Sequence, residues 1–279
     1  MIDLHIHSTY SDGSLTPAEL VQMGETIGLK AMALTDHDTI SGNIALLEAA
    51  RSARLQAIPG VEVSAEFSAG TLHLLGYFIR PDHEPLNEAL ARIRSGRNDR
   101  NDQILGKLQA MGYAISLQDV KEFSGEEVVG RPHFAQALLA KGYVKTSREA
   151  FDRFLGKGKP AYCDRFRLSP EESISLIAQA GGVPVLAHPS TLRLNPTELR
   201  REVGKLAENG LQGIEVYYSE HSREQEAAYL KLTAEFNLVA TGGSDFHGTT
   251  NPQVRMGTGF GGLSVPDQTV EQLQERVHA

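Results

Sequence analysis

Tryptophan is missing from this chain, and cysteine is reduced to one residue, Cys163. A single thiol can build neither a disulfide framework within the chain nor a cysteine-based zinc site. Such a chain suits a reducing compartment. No apolar stretch is long enough to cross a bilayer. The chain does not open on a basic segment followed by an apolar run. A cytoplasmic location is therefore expected, and a membrane partner is not. An excess of positive charge is missing too, with 27 Lys and Arg against 35 Asp and Glu and a formal net charge of −8. Proteins that hold duplex nucleic acid by its phosphates usually carry a basic face, so duplex binding is not expected. A small anionic substrate is compatible with the acidic balance if metal ions supply positive charge locally.

What remains is ordinary globular composition, with 41% apolar and 22% charged residues over 279 positions. That length fits one large domain, or a core domain with an insert. Ile2–Ile6 reads as a strand. Thr16-Pro17-Ala18-Glu19 is a capping box with proline at the first helical position, opening a helix to about Gly28. Ala31–Thr35 is the next strand, followed by a helix from Ser41 to Arg54. Ala57–Ile58, Val61–Ala65 and Leu72–Ile79 are strand-like. From Pro81 to Asp164 the chain turns helical and more polar, with helices at Leu86–Met111, Pro132–Ala140 and Arg148–Leu155. This stretch, 81–164, is read as an insert over a core made of 1–80 and 165–279. Alternation then resumes, with helices at Pro170–Ala180, Pro196–Asn209, Ser222–Phe236 and Val270–His278. Strands Val183–Ala187, Gly213–Tyr217 and Leu238–Thr241 lie between them. Repeated strand–helix units imply a parallel sheet, open or closed into a barrel.

The ten histidines are unevenly placed. His5 and His7 lie two apart on the first strand and so point to one side. Asp12 follows in the next loop. Thr35-Asp36-His37-Asp38 ends the second strand, Gly60-Val61-Glu62 heads a later one, and His73 lies on the next. Ala187-His188-Pro189 closes another, and Ser244-Asp245-Phe246-His247 follows the last. In parallel α/β folds the C-terminal strand edge is where ligands bind. Each piece alone is weak. A lone His-x-His is more often a surface or core pair, and Thr-Asp-His-Asp alone could be a polar turn. The joint pattern near strand ends is what points to a metal site of imidazoles and carboxylates, a set that suits zinc, manganese and iron. His5, His7, His37, His73, His188, His247, Asp12, Glu62 and Asp245 are too many ligands for one ion and fit two or three. Three divalent ions against three carboxylates would leave the pocket at about +3, which attracts a phosphate ester and makes hydroxide available near neutral pH. His83, His221 and His278 have no metal-like neighbour and are read as a loop residue, a helix-opening residue and a tail residue.

These motifs, His5-Ile6-His7-Ser8 with Ser11-Asp12-Gly13 and the others quoted above, resemble those of the polymerase and histidinol phosphatase (PHP) family over nearly the whole chain. The resemblance implies a distorted (β/α)7 barrel, here with a helical insert, and a site for up to three metals. It implies that His5, His7, Glu62 and Asp245 hold one ion. Glu62 would bridge to a second held by His73 and His188, and Asp12, His37 and His247 would hold a third. The family often has histidine where this chain has Asp12. Manganese is the expected ion, with zinc, iron or magnesium as alternatives.

Arg94-Ser95-Gly96-Arg97, Arg131-Pro132-His133-Phe134-Ala135 and Gly158-Lys159-Pro160-Ala161-Tyr162 are similar to a stand-alone branch with a helical insert. That branch includes nucleoside 3′,5′-bisphosphate phosphatases and exonucleases that trim short RNA from the 5′ end. Arg131, His133, Arg193 and Arg97 are the candidates for substrate phosphate, ahead of Lys159. Asp245, His247, Arg193 and His133 are the candidates for catalysis, with His133 a possible general acid. The working scheme is in-line attack on phosphorus by a metal-bridging hydroxide. Short RNA cleavage and histidinol-phosphate hydrolysis stay open as alternatives. An amidohydrolase is a further one, but those enzymes often bridge two metals with a strand-end lysine, and Glu62 takes that place here. An inactive accessory module is also open, although all nine ligand positions are kept.

Overall fold

A computed structural model describes residues 1–124 and 129–277. Seven strands form one sheet in sequential order: β1 (Ile2–Ile6), β2 (Ala31–Leu34), β3 (Gln56–Ala65), β4 (Leu72–Tyr77), β5 (Val183–Leu186), β6 (Gly213–Tyr218) and β7 (Val239–Gly243). The sheet nearly closes into a barrel. Asp245 N–H donates to the His5 carbonyl at 2.9 Å, and His7 N–H donates to the Phe246 carbonyl at 3.0 Å, which joins the end of β7 to β1. Helices α1 (Pro17–Ile27), α2 (Gly42–Ala49), α7 (Pro170–Gln179), α8 (Pro196–Glu208), α9 (Arg223–Phe236) and α10 (Thr269–Val277) belong to the alternating part. Between β4 and α7 lie α3 (Glu84–Ala110), α4 (Leu117–Lys121), α5 (Arg131–Ala140) and α6 (Ser147–Ala150). The capping box at Thr16 and Glu19 forms as read, and Gly28 ends α1 in the left-handed region. The last helix ends at Val277, and His278 lies outside the described residues.

Two expectations need correction. The sheet is not wholly parallel, because β4 runs antiparallel to both β3 and β5. The connection from β3 to β4 covers only residues 66–71 and holds no helix, so it is too short for a parallel crossover. Residues 56–65 are also one ten-residue strand rather than two pieces, so Glu62 stands in the second half of β3 and not at its head.

Two-residue periodicity then divides the side chains. Val61, Val63, Ala65, Leu72, Leu74 and Leu186 pack in the cluster under the helices. Ile58 and Glu62 share the opposite face of β3, and His73, Leu75 and Tyr77 share one face of β4. The apolar members of that set pack with Ala31, Ala33, Val183 and Val185. One barrel face is thus apolar at one end and titratable at the other. The middle of the chain has a core of its own, built from Ile104, Leu108, Val120, Phe134, Leu138, Phe154 and their neighbours. The first half of α3 packs instead on the barrel cluster, through Leu86, Leu90 and Ile93.

Closure leaves no room at Gly243. A Cβ there would fall 2.3 Å from the His5 amide nitrogen and 2.4 Å from His5 Cβ. The buried Asp3 carboxylate clamps the same seam, accepting from Ser244 N–H at 2.8 Å, Ser244 Oγ–H at 2.6 Å and Gly257 N–H at 2.7 Å. Gly243→Ala should therefore destabilise the fold by about 1–3 kcal/mol or more, because the clash is with backbone. An unchanged urea midpoint would contradict the closure seen here.

Candidate metal centre

All nine expected ligand positions meet at one rim of the barrel. His5 lies on β1 and His7 just past it, Asp12 in the loop beyond, and His37 after β2. Glu62 comes from β3, His188 follows β5, and Asp245 and His247 follow β7. His73 is the second residue of β4, at its N-terminal end. Because β4 is antiparallel, that end reaches the rim where the parallel strands finish.

The Glu62 carboxylate is at the middle. Its Oε2 stands 3.2 Å from both His5 Nε2 and His7 Nε2 and 3.0 Å from His37 Nδ1. Its Oε1 stands 2.6 Å from His73 Nδ1 and 2.9 Å from His188 Nε2. Asp245 Oδ1 faces the same two Nε2 atoms, 3.3 Å from His5 and 3.1 Å from His7. On the far side of His7, Asp12 Oδ1 lies 3.2 Å from His247 Nε2 and 3.7 Å from His7 Nδ1. Donor atoms lie within 4.8 Å of one another in three groups: His5, His7, Glu62 and Asp245; His7, Asp12, His37 and His247; and His37, Glu62 and His73. The first is the set implied by the family resemblance. The second adds His7, and the third has His37 beside His73, with His188 on the same Glu62 oxygen.

These residues fit divalent cations. His7 Nε2, Asp12 Oδ1 and His37 Nδ1 are buried and have no hydrogen-bond partner. Each nonetheless lies within 3.7 Å of a carboxylate oxygen or an imidazole nitrogen. A cation satisfies several converging lone pairs where one proton cannot. The electrostatics agree. Burial works to lower His7, but Asp245 and Glu62 outweigh it and push its pKa up to about 10. His5 is likewise raised against burial, by Glu215, Asp245 and Glu62. Burial would raise Glu62, Asp12 and Asp245, yet the surrounding histidines hold all three carboxyls well below their usual range. His37 is the exception, pushed down to about 3 by burial despite Glu62 and Asp12.

Several supporting residues escaped the sequence reading. Glu215, fully buried on β6, accepts from His5 Nδ1–H at 2.8 Å and from His188 N–H at 2.7 Å. That bond fixes the His5 tautomer and leaves Nε2 free for the centre. The available signal was a lone glutamate between apolar neighbours, Ile214-Glu215-Val216, on a buried strand. Asp36 accepts from Ser8 N–H, Ser8 Oγ–H and Ser11 Oγ–H at 2.6–2.7 Å, which fixes the loop carrying Asp12. Tyr218 donates its hydroxyl to Asp245 Oδ2 at 3.0 Å. Backbone strain gathers at the same rim. Asp38, His188 and Asp245 have φ of 53°, 24° and 59°, at a cost on the order of 1–3 kcal/mol each. Register shifts occur between Asp3 and Ile6 and between Glu215 and Tyr217, on the strands that carry His5 and Glu215.

The candidate substrate residues are spread more widely. His133 is buried on α5, and its Nδ1 accepts from Gly130 N–H at 3.0 Å. Arg131 donates to the Leu155 carbonyl at 3.3 Å and stands 5.4 Å from the centre of the Tyr162 ring. Arg97 is paired with Asp38 through Nε at 2.9 Å and through Nη2, which also meets Ser64 Oγ at 2.9 Å. Arg193 is exposed, with a left-handed backbone, at the end of the 3₁₀ turn Pro189–Leu192. Lys159 is exposed. Away from the centre, His83 caps α3. His221 does not open a helix, since Ser222 is the cap of α9. Instead, His221 Nδ1 donates to the Val216 carbonyl at 2.9 Å, between the rings of Tyr218 and Tyr229.

Residues 3–158 match the model of the PHP domain. A 3′,5′-nucleoside bisphosphate phosphatase of Chromobacterium violaceum is 37% identical over 250 residues, covering 88% of this chain and 87% of the relative. The 5′-3′ exoribonuclease Rnm of Escherichia coli is 33% identical, over 88% of this chain and 84% of its own length. The crystal structure of an inferred metal-dependent phosphoesterase from Bifidobacterium adolescentis superposes with a TM-score of 0.85 at 30% identity, covering 99% of this chain and 96% of that one.

Two expectations follow from the geometry. In the metal-free protein, His7 protonation stabilises the fold fully below its unfolded pKa, and this contribution is lost as pH rises through about 10. A cation takes the same lone pair, so binding should release protons and affinity should climb with pH. Calorimetric titration with manganese at pH 7.5, in two buffers of different ionisation enthalpy, should give different heats; identical heats would refute the competition. Glu215→Gln should weaken metal binding about 10–100-fold. A chelator competition that leaves affinity unchanged would reduce Glu215 to a structural role.

Proposed function

The chain belongs to the PHP domain family and is a metal-dependent phosphoesterase, and from that premise we propose that it removes the 3′-phosphate of nucleoside 3′,5′-bisphosphates. The observation that carries the reading is the nine-residue centre at the rim, shared around Glu62, in a chain similar to a bisphosphate phosphatase. His5, His7, Glu62 and Asp245 would hold one ion, and Glu62, His73 and His188 a second, with His37 in reach. Asp12, His37 and His247 would hold a third, manganese being the foremost candidate throughout. Bound divalent ions would supply an ionised water near neutral pH and offset charge on the phosphoryl oxygens.

The chain's own residues do the rest. Glu215 orients His5, and Tyr218 holds one oxygen of Asp245 so that the other faces the histidines. His133 is kept neutral, because burial lowers its pKa and the positive charge of Arg97 works in the same direction against the attraction of Asp12. With Nδ1 accepting from Gly130, its proton sits on Nε2. His133 is thus a neutral hydrogen-bond donor to the substrate rather than an imidazolium acid. Arg193 reaches for phosphoryl oxygens from the turn after His188. Residues 81–164 act as a cover that narrows access to the centre held by 1–80 and 165–279. Among the described residues no helix is long and apolar enough to cross a bilayer, and the lone cysteine supports a cytoplasmic setting.

Cleavage of short RNA from its 5′ end is the second reading. A groove of about 790 Å³ supports it, lined by Thr9, Gly13 and Ser14 next to Asp12, by Thr249 and Thr250 beyond His247, and by Phe123 and Gln136 of the insert. Its size falls in the ligand-pocket range of roughly 300–1,000 Å³.

A steady-state screen with manganese should rank adenosine 3′,5′-bisphosphate above histidinol phosphate, with short 5′-phosphorylated RNA as the competing outcome. Preference for a lactam would overturn the phosphoesterase reading. Asp245→Ala should lower kcat/KM by several orders of magnitude while circular dichroism stays native; full activity would sink the scheme.

A further inference from the structure

His5 and His188 face the same Glu62 carboxylate, but they are oriented by different means. Glu215 takes the His5 ring at Nδ1, 2.8 Å away, and takes His188 at its backbone N–H, 2.7 Å away. The His188 ring turns Nε2 to Glu62 Oε1 at 2.9 Å and Nδ1 to the hydroxyl of Thr191 at 3.1 Å. Thr191 belongs to the 3₁₀ turn Pro189–Leu192 that follows His188. Its hydroxyl meets two backbone carbonyls as well, that of Thr71 at 2.8 Å and that of His188 at 3.0 Å. A hydroxyl has one hydrogen to give, and a carbonyl can only accept. The hydrogen therefore goes to the carbonyls, and the oxygen lone pairs are left for His188 Nδ1–H. That bond puts the ring proton on Nδ1 and leaves the Nε2 lone pair for the centre.

Thr191 also joins two ligands through the backbone. Thr71 N–H donates to the Thr191 carbonyl at 2.9 Å, so Thr71 and Thr191 exchange two hydrogen bonds. The approach is close, because a Cβ on Gly70 would fall 2.2 Å from the Thr191 carbonyl oxygen. The 66–71 connection that makes this contact is itself held. Glu66 N–H donates to the Leu168 carbonyl at 2.7 Å, and Lys157 Nζ donates to the Ser68 carbonyl at 2.8 Å. Thr71 stands directly before β4, and His73 is the second residue of that strand. The connection thus locks the turn that carries His188 to the strand that carries His73, the two imidazoles on Glu62 Oε1. His188 needs such support, since its φ of 24° is strained. Its N–H is held by Glu215 and its carbonyl accepts from Thr191 N–H at 3.0 Å.

We propose that Thr191 is a positioning residue for the metal centre. Its hydroxyl fixes the tautomer and the ring angle of His188, and its bonds to Thr71 set His188 and His73 together, so that both close on one cation at Glu62 Oε1. This deepens the reading of the centre given above and rests on it for the effect on turnover. Removal of the hydroxyl leaves Nδ1–H without its acceptor and frees the ring to turn about its Cβ–Cγ bond. The other imidazoles keep their own supports, so the loss falls on one ion.

The test compares wild type with Thr191→Val, which keeps the shape and removes the hydroxyl, with Thr191→Ser, which keeps the hydroxyl, and with His188→Ala. Calorimetric titration with manganese resolves the binding steps. Thr191→Val should weaken by about 10–100-fold the one step that His188→Ala abolishes, and Thr191→Ser should stay near wild type. Proton–nitrogen spectra of histidine-labelled, zinc-loaded protein give a second readout. A slowly exchanging His188 Nδ1–H signal should appear in wild type and in the serine variant, and should shift upfield or vanish in the valine variant. With adenosine 3′,5′-bisphosphate, kcat of the valine variant should fall at low manganese and recover at high manganese, while KM for the nucleotide stays near wild type. Equal weakening of every binding step, or a kcat loss that manganese does not recover, overturns the positioning role. An unchanged step and an unchanged Nδ1–H signal do the same. Should Thr191→Val fail to fold, Thr191→Ala decides in its place. The titration and the spectra need no ester. A hydroxyl-dependent step in a protein that leaves the bisphosphate intact upholds Thr191 and removes the substrate reading instead.

Discussion

One buried carboxylate, Glu62, meets five imidazoles, three on one oxygen and two on the other. In a metal-free interior that arrangement is electrostatically unfinished. The carboxylate needs positive charge, which the chain can supply only by protonating buried histidines against their desolvation. Histidines from the ends of four strands can share one carboxylate only if those ends lie at the same height on one rim. Barrel closure at Gly243 and Asp3, the antiparallel turn of β4 and the register shifts in β1 and β6 all serve that condition.

The centre is held by a surrounding layer of polar contacts. Glu215 faces His5, Asp36 ties Ser8 and Ser11 beneath Asp12, and Tyr218 steadies Asp245. The contacts on His5 Nδ1 and Asp245 Oδ2 leave His5 Nε2 and Asp245 Oδ1 facing the centre. Left-handed backbone at Asp38, His188 and Asp245 shows where the fold accepts strain to aim side chains.

Charge is divided between the two parts of the chain. The whole is acidic, at −8, yet the region where the insert meets the barrel concentrates arginines around Asp38. Arg97 is one of the candidates for substrate phosphate. It is bound to Asp38 and Ser64, and in that position it organises a cationic cluster next to His37. A net acidic chain lacks the basic excess by which proteins hold extended nucleic acid through its phosphates.

Much of this was legible in the chain. Local signals were reliable where the physics is local. The Thr16 capping box, the helices at 170–179 and 196–208 and the i, i+2 pairing of His5 with His7 all formed as read. The nine ligand positions could be chosen because histidines and carboxylates recurred beside strand ends, and the family resemblance grouped them. Strand direction was not legible, since a two-residue period looks the same in parallel and antiparallel strands; only the short connection over 66–71 hinted at β4. Nor were the roles of Glu215 and Asp36. Their roles depend on partners such as His5, 210 residues from Glu215, and no local pattern encodes such a distance. The sequence by itself determined which residues could hold metal. Tertiary structure decided which oxygen each imidazole faces and where the arginines find their carboxylate, because those choices follow from closing a barrel and burying charge, not from spacing along the chain.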